Sequence, residues 1–169
     1  LGIGGKELSE ENAAQTAKAL NIIQPDFIRV HATGIKLESK LGEFVRDGSF
    51  TLQSEEEIVI EQKLFLQQLH EMDSYYVNEH IVNLLLEVRG NLRTEKQEML
   101  STIDRFLTLP PDERLLFTVG RRLNIFFRLD DLKKPKLHQK AGESLQQILS
   151  KNPHVDFAAL CNYVRQSQI

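Results

Sequence analysis

The residues in this 169-residue chain that could do chemistry are few and scattered. Gly2-Ile3-Gly4-Gly5-Lys6-Glu7 comes nearest to a phosphate loop, because glycines at a strand end let backbone N–H groups approach an anion at the following helix N-terminus. Two fingerprints fail on spacing. A dinucleotide GxGxxG needs glycine where Glu7 stands, and a Walker loop needs Ser or Thr directly after the lysine. The turn is still where α/β proteins place ligands, at the carboxyl end of a parallel strand. Arg29 and His31 lie two apart in a β-type run, so they share one side of it. Pointing into a closed interior they would serve a ligand; on an edge strand they would only be solvated. Glu79 and His80 are neighbours that do not face each other on a helix, which favours a cap contact over an acid–base dyad.

Metal and nucleophile chemistry find little support. His31, His70, His80, His138 and His154 show neither HxxxH nor HExxH spacing, and chain order alone gives no Ser/His/Asp set. The one cysteine, Cys161, excludes an internal disulfide and an all-cysteine metal site, and its helical spacing with Phe157 and Val164 suits a core thiol.

The elements that must position these residues alternate at first. Leu1–Gly5 reads as a strand end and glycine turn, followed by a helix with Ser9 as N-cap, Ala13, Ala17 and Leu20 on one face, and a stop before Pro25. Asp26–His31 is the next strand, expected to run parallel to the first. A short helix follows near Ser39–Asp47, with Leu41, Phe44 and Val45 inward and Gly48 as its stop. Ser54 and Glu57 form a capping box for a helix to about Glu71, burying Ile58, Phe65, Leu66 and Leu69, and Ser74–Val77 is a third strand.

Helices alone are expected beyond Asn78. One carries Ile81, Leu84, Leu85 and Val88 up to Gly90, and a second opens at Thr94. A third starts at Pro110-Pro111 and presents Leu116, Val119, Leu123 and Phe126, with Gly120 as a weak point. Lys133-Lys134-Pro135 reads as a linker to two helices separated by Asn152-Pro153. The fold class is therefore helix-dominated α/β, with strand-bearing residues 1–78, a helical region 79–132 and a basic helical tail 133–169.

Composition sets wide bounds. With 41% hydrophobic and 27% charged residues the chain is of ordinary globular type. Its length suits one domain, since a chain of about 150 residues buries roughly 68–70% of its unfolded surface. The tail carries six Lys/Arg against Glu143 and Asp156, so +4 of the net −3 lies there and residues 1–132 hold −7. That asymmetry would suit an acidic partner, although a charge run is ordinarily a solvated helix face. No aromatics interleave with the lysines, which argues against a single-stranded nucleic-acid platform. No apolar run approaches the roughly eighteen residues of a membrane span and the start lacks a signal peptide, so no membrane partner and a cytoplasmic home are expected.

A wider likeness runs along residues 1 to about 132. The order glycine turn, helix, Gln24-Pro25-Asp26-Phe27-Ile28-Arg29, Ser54 capping box, Asp73-Ser74-Tyr75, His80, Gly120-Arg121-Arg122-Leu123 and Leu129-Asp130-Asp131-Leu132 resembles the C-terminal half of bacterial radical S-adenosylmethionine proteins. Members of that family hold a [4Fe–4S] cluster on a CxxxCxxC loop in the N-terminal half and cleave S-adenosylmethionine reductively to a 5′-deoxyadenosyl radical. The resemblance implies that this chain, which lacks those cysteines and begins without Met, is an excised piece of a partial (β/α) barrel, inactive and cofactor-free alone. It implies Gly4 and Gly5 near the nucleoside and Arg29 and His31 on the substrate side. The family's Pro-Gly-Thr-Pro turn is replaced here by Leu37-Glu38-Ser39-Lys40, so this loop is reshaped. The implied partner is the missing N-terminal half, or a second copy of the chain across the exposed strand edge. The reading from another class is a stand-alone helical interaction module, docking through the tail or the Leu116–Phe126 stripe.

Overall fold

The computed structural model describes residues 1–168. Three short strands form one sheet in the order β1 (Phe27–Arg29), β2 (Tyr75–Val77), β3 (Gly90–Asn91). β1 and β2 pair in parallel, Phe27 opposite Tyr75 and Arg29 opposite Val77, and β3 closes antiparallel on β2. Leu1 adds a further backbone track beside β1. Its nitrogen donates to the His31 carbonyl at 2.7 Å and its carbonyl accepts from Thr33 N–H at 2.8 Å, the bonding pattern of a parallel bridge.

Helices α1 (Ser9–Ile23), α2 (Lys40–Asp47) and α3 (Glu55–Gln68) occupy the connections between these tracks. α1 packs along α3, and Ala13 and Ala17 of α1 with Val59 and Phe65 of α3 join Ile28 and Tyr76 of the sheet in the main core. Gln62 Nε2 donates to the buried Tyr76 hydroxyl at 2.9 Å, so burying the tyrosine leaves no orphan oxygen. α3 begins as expected: Ser54 Oγ accepts from Glu57 N–H while the Glu57 carboxylate accepts from Ser54 N–H. α1 begins differently. Leu8 sits at its N-cap without a side-chain cap, and the Ser9 hydroxyl is spent on Glu61. In α2 the buried residue is Gly42, whereas Phe44, expected inward, is exposed.

After β2 the expected helix over Ile81–Val88 does not form. The segment is a chain of turns that still buries Val82, Leu84, Leu85 and Val88. Its backbone is bound by side chains instead: Asn78 Nδ2 donates to the Leu85 carbonyl at 2.7 Å and Arg122 Nη2 to the Val82 carbonyl at 3.0 Å, while Asn83 Nδ2 ties the segment to the Val30 carbonyl at 2.8 Å. Asparagine offers the backbone such partners in competition with helix. The chain then forms β3, α4 (Lys96–Leu107), α5 (Pro111–Arg122), a 3-10 turn (Leu129–Lys133), α6 (Pro135–Lys151) and α7 (Phe157–Gln166). The N-cap of α4 is Glu95 rather than Thr94, without a side-chain cap, and the Glu95 carboxylate accepts from Asn91 N–H at 2.7 Å.

α5 ends one turn earlier than its apolar spacing suggests. Asn124 adopts a left-handed backbone, Ile125 and Phe126 N–H both turn back to the Gly120 carbonyl, and the Phe126 ring folds onto Gly120. A methyl group at Gly120 would lie 2.4 Å from that ring, so the residue that weakens the helix makes room for a core aromatic. Gly120→Ala should therefore destabilise by about 1–3 kcal/mol in urea unfolding. Gly142 of α6 has nothing within 4 Å of such a methyl, and Gly142→Ala should leave stability unchanged or raise it by up to about 1 kcal/mol.

Candidate functional site

The helices α1 and α3 lie on the Ile28 and Tyr76 side of the parallel pair, and the opposite side is open along most of its length. There Phe27 and Tyr75 stack with ring centroids 6.3 Å apart while 55% and 44% exposed, and Arg29 and His31 follow along the same track. Val77, opposite Arg29, is buried. Strand alternation thus produces a line of aromatic and basic groups ending at the carboxyl end of β1.

His80 meets that line from the segment after β2. Its ring stacks on His31 with centroids 4.1 Å apart and planes at 27°. Glu79 points elsewhere, pairing with Arg89 at 3.1 Å, so Glu79 and His80 form no dyad. Burial, then the His80 ring, then the Arg29 charge hold the His31 imidazole below its usual pKa. Sequence order had no means of pairing His31 with His80, since 49 residues separate them; the parallel pairing of β1 and β2 brings the segments that follow them side by side.

Arg29 and His31 also border a cleft with Leu1, Ile3, Asn12, Thr16 and Glu61. Glu61 is fully buried and accepts from Gly2 N–H at 3.2 Å, Ser9 Oγ at 3.1 Å and Asn12 Nδ2 at 2.8 Å. The acidic group below the glycine turn is therefore already hydrogen-bonded. Gly4 and Gly5 sit in that turn, but their missing side chains answer to the chain itself: a methyl at Gly4 would lie 2.9 Å from the Leu8 carbonyl, and one at Gly5 3.0 Å from the Thr51 carbonyl. The predicted site residues thus fall into a packed turn and an open basic face.

A second polar cluster, beyond the reach of sequence spacing, closes the carboxyl end of β1. Glu55, the first residue of α3, is buried and receives Arg122 of α5 through two bonds, Nε at 3.1 Å and Nη2 at 2.6 Å, together with Arg165 Nη1 of α7. Arg165 Nε also donates to the Thr33 carbonyl at 3.2 Å. Asn162 of α7 binds both backbone groups of Ile35, at 2.9 and 3.0 Å. Gly34 allows this approach, since a methyl there would lie 2.9 Å from Gln166 N. The basic tail therefore packs its last helix onto the loop after β1, and Arg165, counted in its positive charge, is buried. Cys161 lies beside this cluster, and burial pushes its thiol up to about 12.

Among the described residues no group of three or more His, Cys, Asp or Glu side chains could hold a metal ion, and no helix is long and apolar enough to cross a membrane. Compared with family models, curated proteins and solved structures, the chain matches none.

Burial works against the Glu55 charge, but the two guanidinium groups outweigh it and hold the carboxyl below its ordinary 4.5. The folded state binds this proton less readily than the unfolded chain, so the stability contribution is complete above about pH 4.5 and is lost as pH falls through the lower folded value. Glu55→Gln should cost about 3–5 kcal/mol at pH 7, because it leaves two buried cations without their anion, and should flatten the acid limb of a stability–pH curve. Arg165→Met should cost less, since Glu55 keeps its two-bond partner Arg122; urea midpoints measured from pH 3 to 7 check both.

Proposed function

We propose that this chain is the carboxyl-terminal part of a radical S-adenosylmethionine protein, supplying wall and substrate-side residues to a partial (β/α) barrel completed by an N-terminal half. The observation that carries this reading is the parallel pair β1 and β2, with Leu1 bridged in parallel to the residues that follow β1, and with Phe27, Arg29, His31 and Tyr75 exposed. Parallel strands are ordinarily covered on both faces, or closed so that the inner face becomes a lined interior. An open inner face carrying two basic side chains near strand carboxyl ends is what a sector of such an interior would present. The order of motifs along residues 1–132 supports the same assignment.

The residues present do not suit the iron–sulfur cluster of that family. The only cysteine is buried beside Glu55 and Arg122 with its thiol held protonated, so cluster ligands have to come from the other half, and no chemical step is assigned to this chain. The chain's own contribution is positional: Glu61 and the Gly2–Gly5 turn order the start of α1, and Arg29 and His31 face the space where a substrate would lie. The expected home is the cytoplasm, whose reducing conditions suit both an oxygen-sensitive cluster and a free thiol. Of the Leu116–Phe126 stripe, Leu116, Val119 and Phe126 are buried and Leu123 is exposed, which leaves a stand-alone docking role little apolar surface on this helix.

The test is anaerobic reconstitution with iron and sulfide of the longest protein that the natural gene encodes around this sequence, beside this chain alone. Cluster absorbance and formation of 5′-deoxyadenosine by the longer protein, with neither from this chain, is the expected result. A longer protein that binds no cluster, or a gene that begins near Leu1, overturns the assignment. In light scattering, this chain alone should self-associate through its open face, and a clean monomer at all concentrations would count against the half-barrel reading.

A further inference from the structure

Three groups able to carry positive charge meet at the carboxyl end of the parallel pair, and among the described residues none of them is ion-paired with a carboxylate. Arg29 and His31 share one side of the β1 track, and His80 lies against His31 at 4.1 Å. The carboxylates around them are engaged elsewhere: Glu79 holds Arg89, and Glu61 is bound by Gly2, Ser9 and Asn12. The stacked arrangement also decides what kind of ligand suits the pair. Ring nitrogens carry their lone pairs in the ring plane, so two imidazoles lying face to face at 27° direct them alongside each other and not toward a common metal ion. Each ring can still present an in-plane N–H as a hydrogen-bond donor. Val82 N–H approaches His80 Nδ1 at 3.4 Å, which leaves Nε2 as the natural position for the proton of neutral His80.

We propose that Arg29, His31 and His80 form a binding site for an oxyanion, either a carboxylate or a phosphoryl group, on the open side of β1 and β2. The guanidinium supplies a permanent charge and the two imidazoles supply donors, the combination that forms charge-assisted hydrogen bonds to such groups. The site stands on this chain's own geometry and does not require the radical chemistry proposed above.

Proton linkage gives it a distinctive signature. Arg29, His80 and the Leu1 nitrogen face His31, and the hydrogen-bonded Glu61 carboxylate lies across the same cleft; burial, then His80, then Arg29 disfavour its protonation. A folded pKa below the usual value means that the empty protein loses stability as pH falls from about 6.5 toward that lower value. A bound oxyanion reverses the sign, because it favours protonated His31 and so raises its pKa. Affinity should then rise as pH falls, by up to about tenfold per pH unit above the His31 pKa, because the protonated ring adds its charge to that of Arg29.

The experiment is an NMR titration of the five histidine rings of this chain from pH 8 to 5.5, with sodium sulfate and sodium acetate as separate probes at constant ionic strength. Sulfate keeps its charge throughout that range, so its pH dependence reports the protein. The expected result is an upward move of the His31 and His80 midpoints with at least one probe, no matching move at His70 or His154, and about tenfold weaker binding in Arg29→Gln. Binding of sulfate only assigns the site to phosphoryl-type groups, and binding of acetate only assigns it to carboxylates. Equal shifts at all five histidines, no shift at His31 and His80, or unchanged affinity in a folded Arg29→Gln protein overturns the proposal. The wild-type titration requires no variant to fold, and no outcome depends on a cluster.

Discussion

Glu55 carries a full charge inside the protein, and the way that charge is neutralised ties together parts of the chain that local structure leaves independent. The residue opens α3, where the helix dipole already favours an anion. Arg122 reaches it from the end of α5 and Arg165 from the end of α7, across 67 and 110 residues of sequence. Removing charges from water costs several kcal/mol per ion, so the arrangement is tolerable only because each partner arrives with good geometry. Its value lies in specificity. α7 docks in the register that brings Arg165 to Glu55 and Asn162 to the backbone of Ile35.

That docking bears on the open face of the sheet. The loop after β1 carries Thr33, Gly34 and Ile35 directly out of the track that holds Arg29 and His31, and α7 fixes this loop through Asn162 and Arg165. Asn83 fixes it from the other side, accepting from Ala32 N–H at 2.6 Å and donating to the Val30 carbonyl. The fully buried Arg121 then binds the Ile81 and Asn83 carbonyls, at 3.0 and 3.2 Å, and steadies the segment that presents His80. The stacked His31 and His80 rings are therefore held by two backbone segments whose positions depend on side chains from α5 and α7. A preorganised pair of this kind spends little entropy in accepting a ligand.

The same connections explain why sequence reasoning succeeded in some places and failed in others. The Ser54 capping box, the stop before Pro25, the Gly48 stop and Pro111 at the start of α5 were all legible, because each is a contact between residues within four positions of one another. The helix expected over Ile81–Val88 failed because its apolar spacing was real but its backbone had better partners in Asn78, Arg121 and Arg122, the last two about 40 residues away. Gly120 looked like a defect because the ring that needs its empty space returns from beyond the helix end. Arg165 was counted as surface charge because nothing nearby in sequence announces Glu55.

By itself, then, the sequence determined the helix-dominated α/β class, the existence of strands at Phe27 and Tyr75, and the placing of Arg29 and His31 on one side of a strand. These follow from periodicity, capping and alternation, which act over a few residues. Tertiary structure alone decided that this side is open, that His80 stacks on His31, that Gly4 and Gly5 are filled by their own chain, and that the last helix closes over the loop after β1. Each of those outcomes depends on which distant groups arrive at a point in space. Burial then makes the arrangement binding, because a charge or a backbone donor withdrawn from water has to find its partner wherever in the chain that partner lies.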